Sequence, residues 1–102
     1  MIRHIVMLNL SARDDLPAVM DGLGGLIGQI DGFTGFEHGP NIDAEGKSPD
    51  YPYGFVCTFH DRAALDAYAA DPRHRVLGAR LVAMCNGGGD GIMVFDLDVP
   101  AA

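Results

Sequence analysis

The chain has 102 residues, enough for one domain and not two, and its 48% hydrophobic and 21% charged content is ordinary for a globular protein. Acidic residues outnumber Lys and Arg by 14 to 7, giving a net charge of −7 with no basic stripe. Such a surface cannot release counterions from nucleic acid and is repelled by an anionic bilayer, so neither partner is expected. No apolar run reaches the roughly 18 residues of a membrane span, and the opening MIRHIVMLNL lacks a signal-peptide layout, so a cytoplasmic protein is expected.

Residues 2–10 alternate as a strand, with Ile2, His4, Val6, Leu8 and Leu10 on one face and Arg3, Ile5, Met7 and Asn9 on the other. Both faces are largely apolar, so both need a cover. Ser11 to Asp15 and Pro17 signal a helix start, and Leu16, Val19, Met20, Leu23, Leu26, Ile27 and Ile30 follow a helical period for about four turns. Four glycines (Gly22, Gly24, Gly25, Gly28) weaken that helix. They form no GxGxxG and follow no strand directly, so they imply close packing or a gap left for a ligand, not a phosphate cradle.

After a turn at Asp31-Gly32, residues 33–39 read as a second strand and 40–52 as a loop rich in Pro, Asp, Gly and Ser. Residues 53–60 read as a third strand, with Tyr53, Phe55, Cys57 and Phe59 on one face. Asp61 is the expected cap of a helix through about Ala70 that carries Leu65 and Tyr68 inward. Asp71-Pro72 restarts a second helical piece to about Met84, with Val76, Leu77 and Leu81 inward. A glycine-rich turn leads to the last strand, 92–99, with Met93, Phe95, Leu97 and Val99 on one face.

The order β-α-β-β-α-β is that of an α+β ferredoxin-like sandwich with a four-stranded antiparallel sheet. Helices then cover one sheet face only. The apolar second face predicts a twofold homodimer, sheet against sheet. Cys57 and Cys85 form no CxxC and are read as buried, reduced thiols; four scattered histidines do not give zinc-ligand spacing, so no metal or other cofactor is expected.

Three stretches are similar to those of one family. RHIVMLNL at the start, FEHGPNIDAEG in the middle, and YPYGFVCTFHDRAALDAYAADPRH, with its Tyr-x-x-x-Pro-x-His, resemble the Dabb (stress-responsive dimeric α/β-barrel) family over residues 2–97. The resemblance implies a dimer whose two sheets pack as an α/β barrel, with a cavity between sheet and helices in each subunit. It also implies a relation to polyketide cyclases of the olivetolic-acid-cyclase kind, in which a Tyr and a His on the helical segment act together. Those match Tyr68 and His74, and the family's strand-one His matches His4. A His on strand three of the cyclases is Tyr53 here, which preserves hydrogen bonding and removes an imidazole. The residue before Pro72, often a His in the family, is Asp71.

His4 lies among apolar neighbours and reads either as a core histidine on a backbone carbonyl or as a polar group projecting into a pocket. His74, near a helix start, sits where the dipole disfavours the imidazolium, leaving the neutral ring that a general base needs. Tyr68 reads as its hydrogen-bonding partner or as a core-edge aromatic. Tyr53, Phe55 and Leu81 are candidates to line the pocket beside His4; His38 and His60 read as surface residues, and Asp96 and Asp98 as facing solvent or the dimer rim.

The leading expectation is a cofactor-independent enzyme on a small apolar carbonyl compound. His74 would remove a proton alpha to the carbonyl, Tyr68 would orient it or donate to the enolate, and His4 and Tyr53 would hold carbonyl oxygens. Its rivals are a non-catalytic stress-responsive or ligand-binding dimer and a cofactor-free monooxygenase.

Overall fold

The computed structural model describes residues 1–101. Its elements are β1 (Ile2–Leu8), α1 (Leu16–Gly24), β2 (Phe33–Pro40), β3 (Tyr53–Phe59), α2 (Arg62–Ala70), α3 (Pro72–Met84) and β4 (Ile92–Asp98), with a 3-10 turn at Gly88–Gly91. The strands make one antiparallel sheet in the order β2-β3-β1-β4, the ferredoxin-like arrangement expected. No helix among the described residues is long and apolar enough to cross a membrane.

Strand alternation decides which side chains meet the helices. Ile2, Val6 and Leu8 of β1 and Phe55, Cys57 and Phe59 of β3 are buried on one face. They pack with Val19, Met20 and Leu23 of α1, Leu65 and Tyr68 of α2, and Leu77, Leu81 and Met84 of α3 in a single core. Each such aliphatic or aromatic side chain contributes about 1.5–3 kcal/mol by leaving water.

The helices start where their caps are. Asp61 accepts a hydrogen bond from the Ala64 amide at 2.9 Å, and Asp71 one from the Arg73 amide at 2.8 Å. Asp15, ahead of α1, makes no side-chain cap and instead takes the Arg80 guanidinium of α3.

Four details differ from the sequence expectation, the first being that β1 ends at Leu8 and Leu10 keeps only an isolated bridge to Cys85. The helix α1 stops at Gly24; beyond it the bonds Leu26 N to Leu23 O and Ile27 N to Gly24 O tighten the chain, and the weak helix propensity of the Gly24-Gly25 pair accounts for the early end. Leu26 and Ile30 are still buried, while Ile27 turns outward. Val76 is 62% exposed, because the inward stripe of α3 runs Leu77, Leu81, Met84 and Val76 lies about 100° away from it. Val99 falls just past β4 and donates its amide to the Met1 carbonyl. Gly22 answers the question posed by the glycine cluster: a Cβ there would lie 2.8 Å from Leu77 Cδ2, so its absence lets α1 and α3 approach.

On the reverse face, Ile5, Met7 and Val56 are only partly covered, and Met93, Phe95 and Leu97 are 39%, 49% and 50% exposed. Arg3, which donates to Thr58 Oγ1, and Glu37 are the charged residues there.

The turn into β4 is closed by two backbone hydrogen bonds and by one between side chains, Asn86 Nδ2 donating to Asn9 Oδ1 at 2.9 Å. Asn9 N donates to Gly91 O, and Asn86 N donates to Asn9 O, each at 2.8 Å. A Cβ on Gly91 would collide with the Asn86 carbonyl oxygen and meet Cys85 Cβ at 3.1 Å. Gly91→Ala is expected to lose about 1–3 kcal/mol in urea unfolding at fixed protein concentration. Gly39→Ala, with nothing within 4 Å of the new Cβ, should change stability by less than about 0.5 kcal/mol. Equal stability of the two variants would show that the turn relaxes freely.

Candidate active site

The helices leave part of the sheet open. A cleft of about 460 Å³ lies between α3 and strands β1 and β4, walled by Val6, Phe55, Leu81 and Val94, with His4 and His74 facing it. A second cleft of about 450 Å³, with Arg62, Asp66 and Asp98 on its walls, shares His4 and Ala69 with the first. His4 therefore stands where the two meet.

His4 is the third residue of β1, opposite Cys57 on β3 and Asp96 on β4. Its Nδ1 lies 2.6 Å from Asp96 Oδ1. An ionised carboxylate only accepts, so Nδ1 carries the donated proton, and in the neutral ring Nε2 holds the lone pair. No hydrogen bond reaches Nε2 from any described residue, and the His4 side chain is 15% exposed. The ring is thus oriented by a partner on one nitrogen and free on the other.

Asp96 is exposed, as expected, with 45% of its side chain accessible, but it lies on the helix-facing side of β4 and holds His4, a contact the sequence reading did not include. The signal was present in the sequence. Met93, Phe95 and Leu97 share one face of β4, so Asp96 must share the other, and β4 lies beside β1 in the observed strand order.

His74 is the third residue of α3 and is half-buried. Burial pushes its pKa below the ordinary 6.5, reinforced by His4 and Arg75 and opposed by the Ala69 backbone and Asp71. The Ala69 backbone is close enough to favour the charged ring, yet no hydrogen bond of normal geometry reaches the buried Nδ1. Of the two influences burial is the larger, and the ring is neutral at pH 7.

Tyr68 is only 1% exposed. Its ring lies 4.0 Å from that of His74 and 5.3 and 5.0 Å from Phe33 and Phe59. Its hydroxyl receives the Cys57 thiol at 3.8 Å and makes no hydrogen bond to His74. Burial raises the Tyr68 phenol and pushes the Cys57 thiol up to about 12, so neither ionises at neutral pH. Tyr68 supports His74 by ring contact, and its hydroxyl is sealed from the cleft, a different relation from the hydrogen bond considered above.

Phe55 and Leu81 are buried cleft walls. Tyr53 is not among the cleft residues. It sits at the far end of β3, four residues and about 13 Å along the strand from Cys57. There its hydroxyl meets His38 Nδ1 at 2.6 Å. His38 and His60 are both exposed. Cys57 and Cys85 are buried and free. No cluster of three or more His, Cys, Asp or Glu among the described residues is arranged to hold a metal ion.

Three helices on one side of a four-stranded antiparallel sheet, with paired histidines in the opening between them, define a ferredoxin-like α+β domain with a candidate acid–base cleft. The chain belongs to the Dabb family: the family model, described as a stress responsive A/B barrel domain, matches residues 2–99. A dimeric ferredoxin-like protein of unknown function from Jannaschia sp. CCS1 is 50% identical, with a TM-score of 0.87 over 96% of this chain and 98% of that one. A Dabb family protein with a ferredoxin-like fold from Mesorhizobium loti is 26% identical, with a TM-score of 0.72 over 99% and 97%. The hydroxynitrile lyase of Passiflora edulis shares the fold at 14% identity, with a TM-score of 0.79 over 99% and 94%. No curated protein matches the chain.

The lowered pKa of His74 carries a sign. The unfolded chain binds the imidazole proton at higher pH than the folded one, so stability falls as pH drops below about 6.5 towards the lowered folded value. Urea midpoints measured between pH 7 and pH 5 should fall for the wild type and fall less for His74→Gln. Parallel curves for the two proteins would mean that the buried ring is not what titrates.

Proposed function

We propose that this chain is a homodimeric, cofactor-independent acid–base enzyme acting on a small, mostly apolar carbonyl compound. The observation that carries the reading is the His4–Asp96 pair: a carboxylate holds one imidazole nitrogen at 2.6 Å, and the other is unpartnered beside an apolar cleft shared with His74.

His4 Nε2 takes the proton and later returns it. Asp96 fixes the ring's orientation and tautomer, as a carboxylate does for a catalytic histidine elsewhere. His74, kept neutral by burial, polarises the substrate oxygen through a ring N–H; a neutral imidazole serves better there than a cation that would hold the enolate too tightly for return. Val6, Phe55, Leu81 and Val94 exclude water around the reacting carbon. The roles of His4 and His74 are thus exchanged relative to the sequence reading, because His4 and not His74 has the orienting carboxylate. The arrangement suits removal of a proton alpha to a carbonyl, as in aldol-type ring closure. It also suits removal of a hydroxyl proton from a carbonyl adduct, the kind of substrate named for the Passiflora edulis protein. The fold does not choose between them.

Deuterium exchange alpha to the carbonyl of 4-phenyl-2-butanone, followed by NMR, tests the site without knowledge of the natural substrate. The wild type should exceed the buffer rate, with His4→Ala and Asp96→Asn slower by about 10²–10⁴-fold and about 10-fold or more respectively. Tyr68→Phe should stay within a few-fold of wild type, since its hydroxyl does not reach the cleft. An undiminished rate in His4→Ala would remove the proposed base.

The homodimer reading rests on the open reverse face and on the 50%-identical relative being described as dimeric. Ile5, Met7, Val56, Met93, Phe95 and Leu97 lie side by side on that face, and contiguous exposed apolar surface of this kind marks an interaction site. Sedimentation of the wild type at micromolar concentration should give dimers, and Phe95→Lys should give monomers. A monomeric wild type would overturn the assembly.

A further inference from the structure

Four of the six arginines in this chain have side-chain partners, and of the two without, Arg13 and Arg75, only Arg75 lies on the cleft. Acids outnumber Lys and Arg two to one (14 to 7), and the guanidinium groups of Arg62, Arg73 and Arg80 hold Asp66, Asp71 and Asp15. Arg75 differs. It stands on the wall of the cleft that contains His4 and His74, is exposed, and makes no salt bridge or side-chain hydrogen bond with any described residue.

Its isolation has a structural cause. The acid one turn back on α3 is Asp71, placed i−4 to Arg75, where an ion pair would ordinarily form. Both Asp71 oxygens are already taken. Oδ1 accepts from the Arg73 amide and Nε, and Oδ2 accepts from Arg73 NH2, at 2.8 to 3.0 Å. One turn forward the helix has Gly78 and Ala79, which carry no charge. Asp96, on the wall of the adjoining cleft, is engaged by His4. A bidentate donor is therefore left free at the mouth of an apolar cleft, a few residues from the proposed chemistry.

We infer that Arg75 is a specificity residue that binds a carboxylate of the substrate, so that the site takes an apolar oxo acid with its carbonyl at His4 and His74 and its carboxylate at the rim. This rests on the acid–base reading of the cleft and adds the charge of the substrate to it. The net charge of −7 works against such a ligand at long range, but over more than about 8 Å at physiological salt it is largely screened. The local guanidinium decides the preference. Arg75 touches the ligand without taking part in proton transfer.

The test uses two probes of one shape, 4-phenylbutanoate and 4-phenylbutanamide, titrated by NMR into the full chain while the imidazole signals of His4 and His74 are followed. Wild type should bind the carboxylate about tenfold tighter than the amide, the modest gain of a charge-assisted pair at an exposed rim. Arg75→Gln should abolish that preference and leave amide affinity as it was. Arg75→Lys should retain part of it, and Arg13→Gln, which changes an exposed arginine outside the cleft, should retain all of it. Equal binding of both probes by wild type, or a preference that survives Arg75→Gln, overturns this inference while leaving the cleft as a site. If neither probe moves the His4 or His74 signals, the inference fails; if the exchange is also independent of His4, the acid–base reading fails with it. Deuterium exchange that depends on His4 but is unaffected by either probe overturns the carboxylate site alone.

Discussion

Tyr68 packs between Phe33, Phe59 and the ring of His74, and that contact sets where the helical layer rests on the sheet. Truncating a buried aromatic of this kind costs about 3–5 kcal/mol, a large share of the stability of a domain this size. The ring thereby couples α2 to β3 and holds the first turn of α3, and with it His74, over the cleft. By contrast, the His4–Asp96 pair has side chains 15% and 45% exposed, and pairs open to solvent contribute only about 0–1 kcal/mol. The larger energy builds the scaffold, and the smaller contact orients one ring. That division is why Tyr68 reads as a support and His4 as a reacting group.

The same alternation that hides Ile2, Val6 and Leu8 under the helices turns Arg3, Ile5 and Met7 to the other side. The sequence made this legible because both phases of β1 are largely apolar, a pattern that a sheet covered once cannot satisfy. Caps at Asp61 and Asp71 were equally plain, since each is an acid placed just before a helix-forming run. The end of α1 was not. Leu26 and Ile30 keep the helical spacing and stay buried, so hydrophobic period alone continued the helix past the glycines that end it. Val76 misled for a related reason: an apolar residue beside an apolar stripe is indistinguishable from a member of it.

The candidate site was legible as residues and not as relations. His4, His74, Phe55 and Leu81 come together in one cleft, but the partners of the polar groups depend on strand register and ring orientation, which one-dimensional spacing does not hold. Tyr53 and His4 share the helix-facing phase of adjacent strands, yet register separates them along the strand and gives Tyr53 to His38. Asp96 went unpaired because its partner is 92 residues away in sequence. Only the adjacency of the first and last strands supplies it.

Asp96 stands on an edge strand between Phe95 and Leu97, whose side chains leave from the opposite surface. One backbone segment thus presents its carboxylate to an imidazole and its apolar side chains to the open reverse face. β4 hydrogen-bonds to β1 alone, so in the proposed dimer a second copy seated on Phe95 and Leu97 would also brace the hydrogen bond on the far surface. On the dimer and acid–base readings proposed above, assembly and proton transfer meet on this one strand, and a chain separated from its mate would hold the His4 ring more loosely without losing its core.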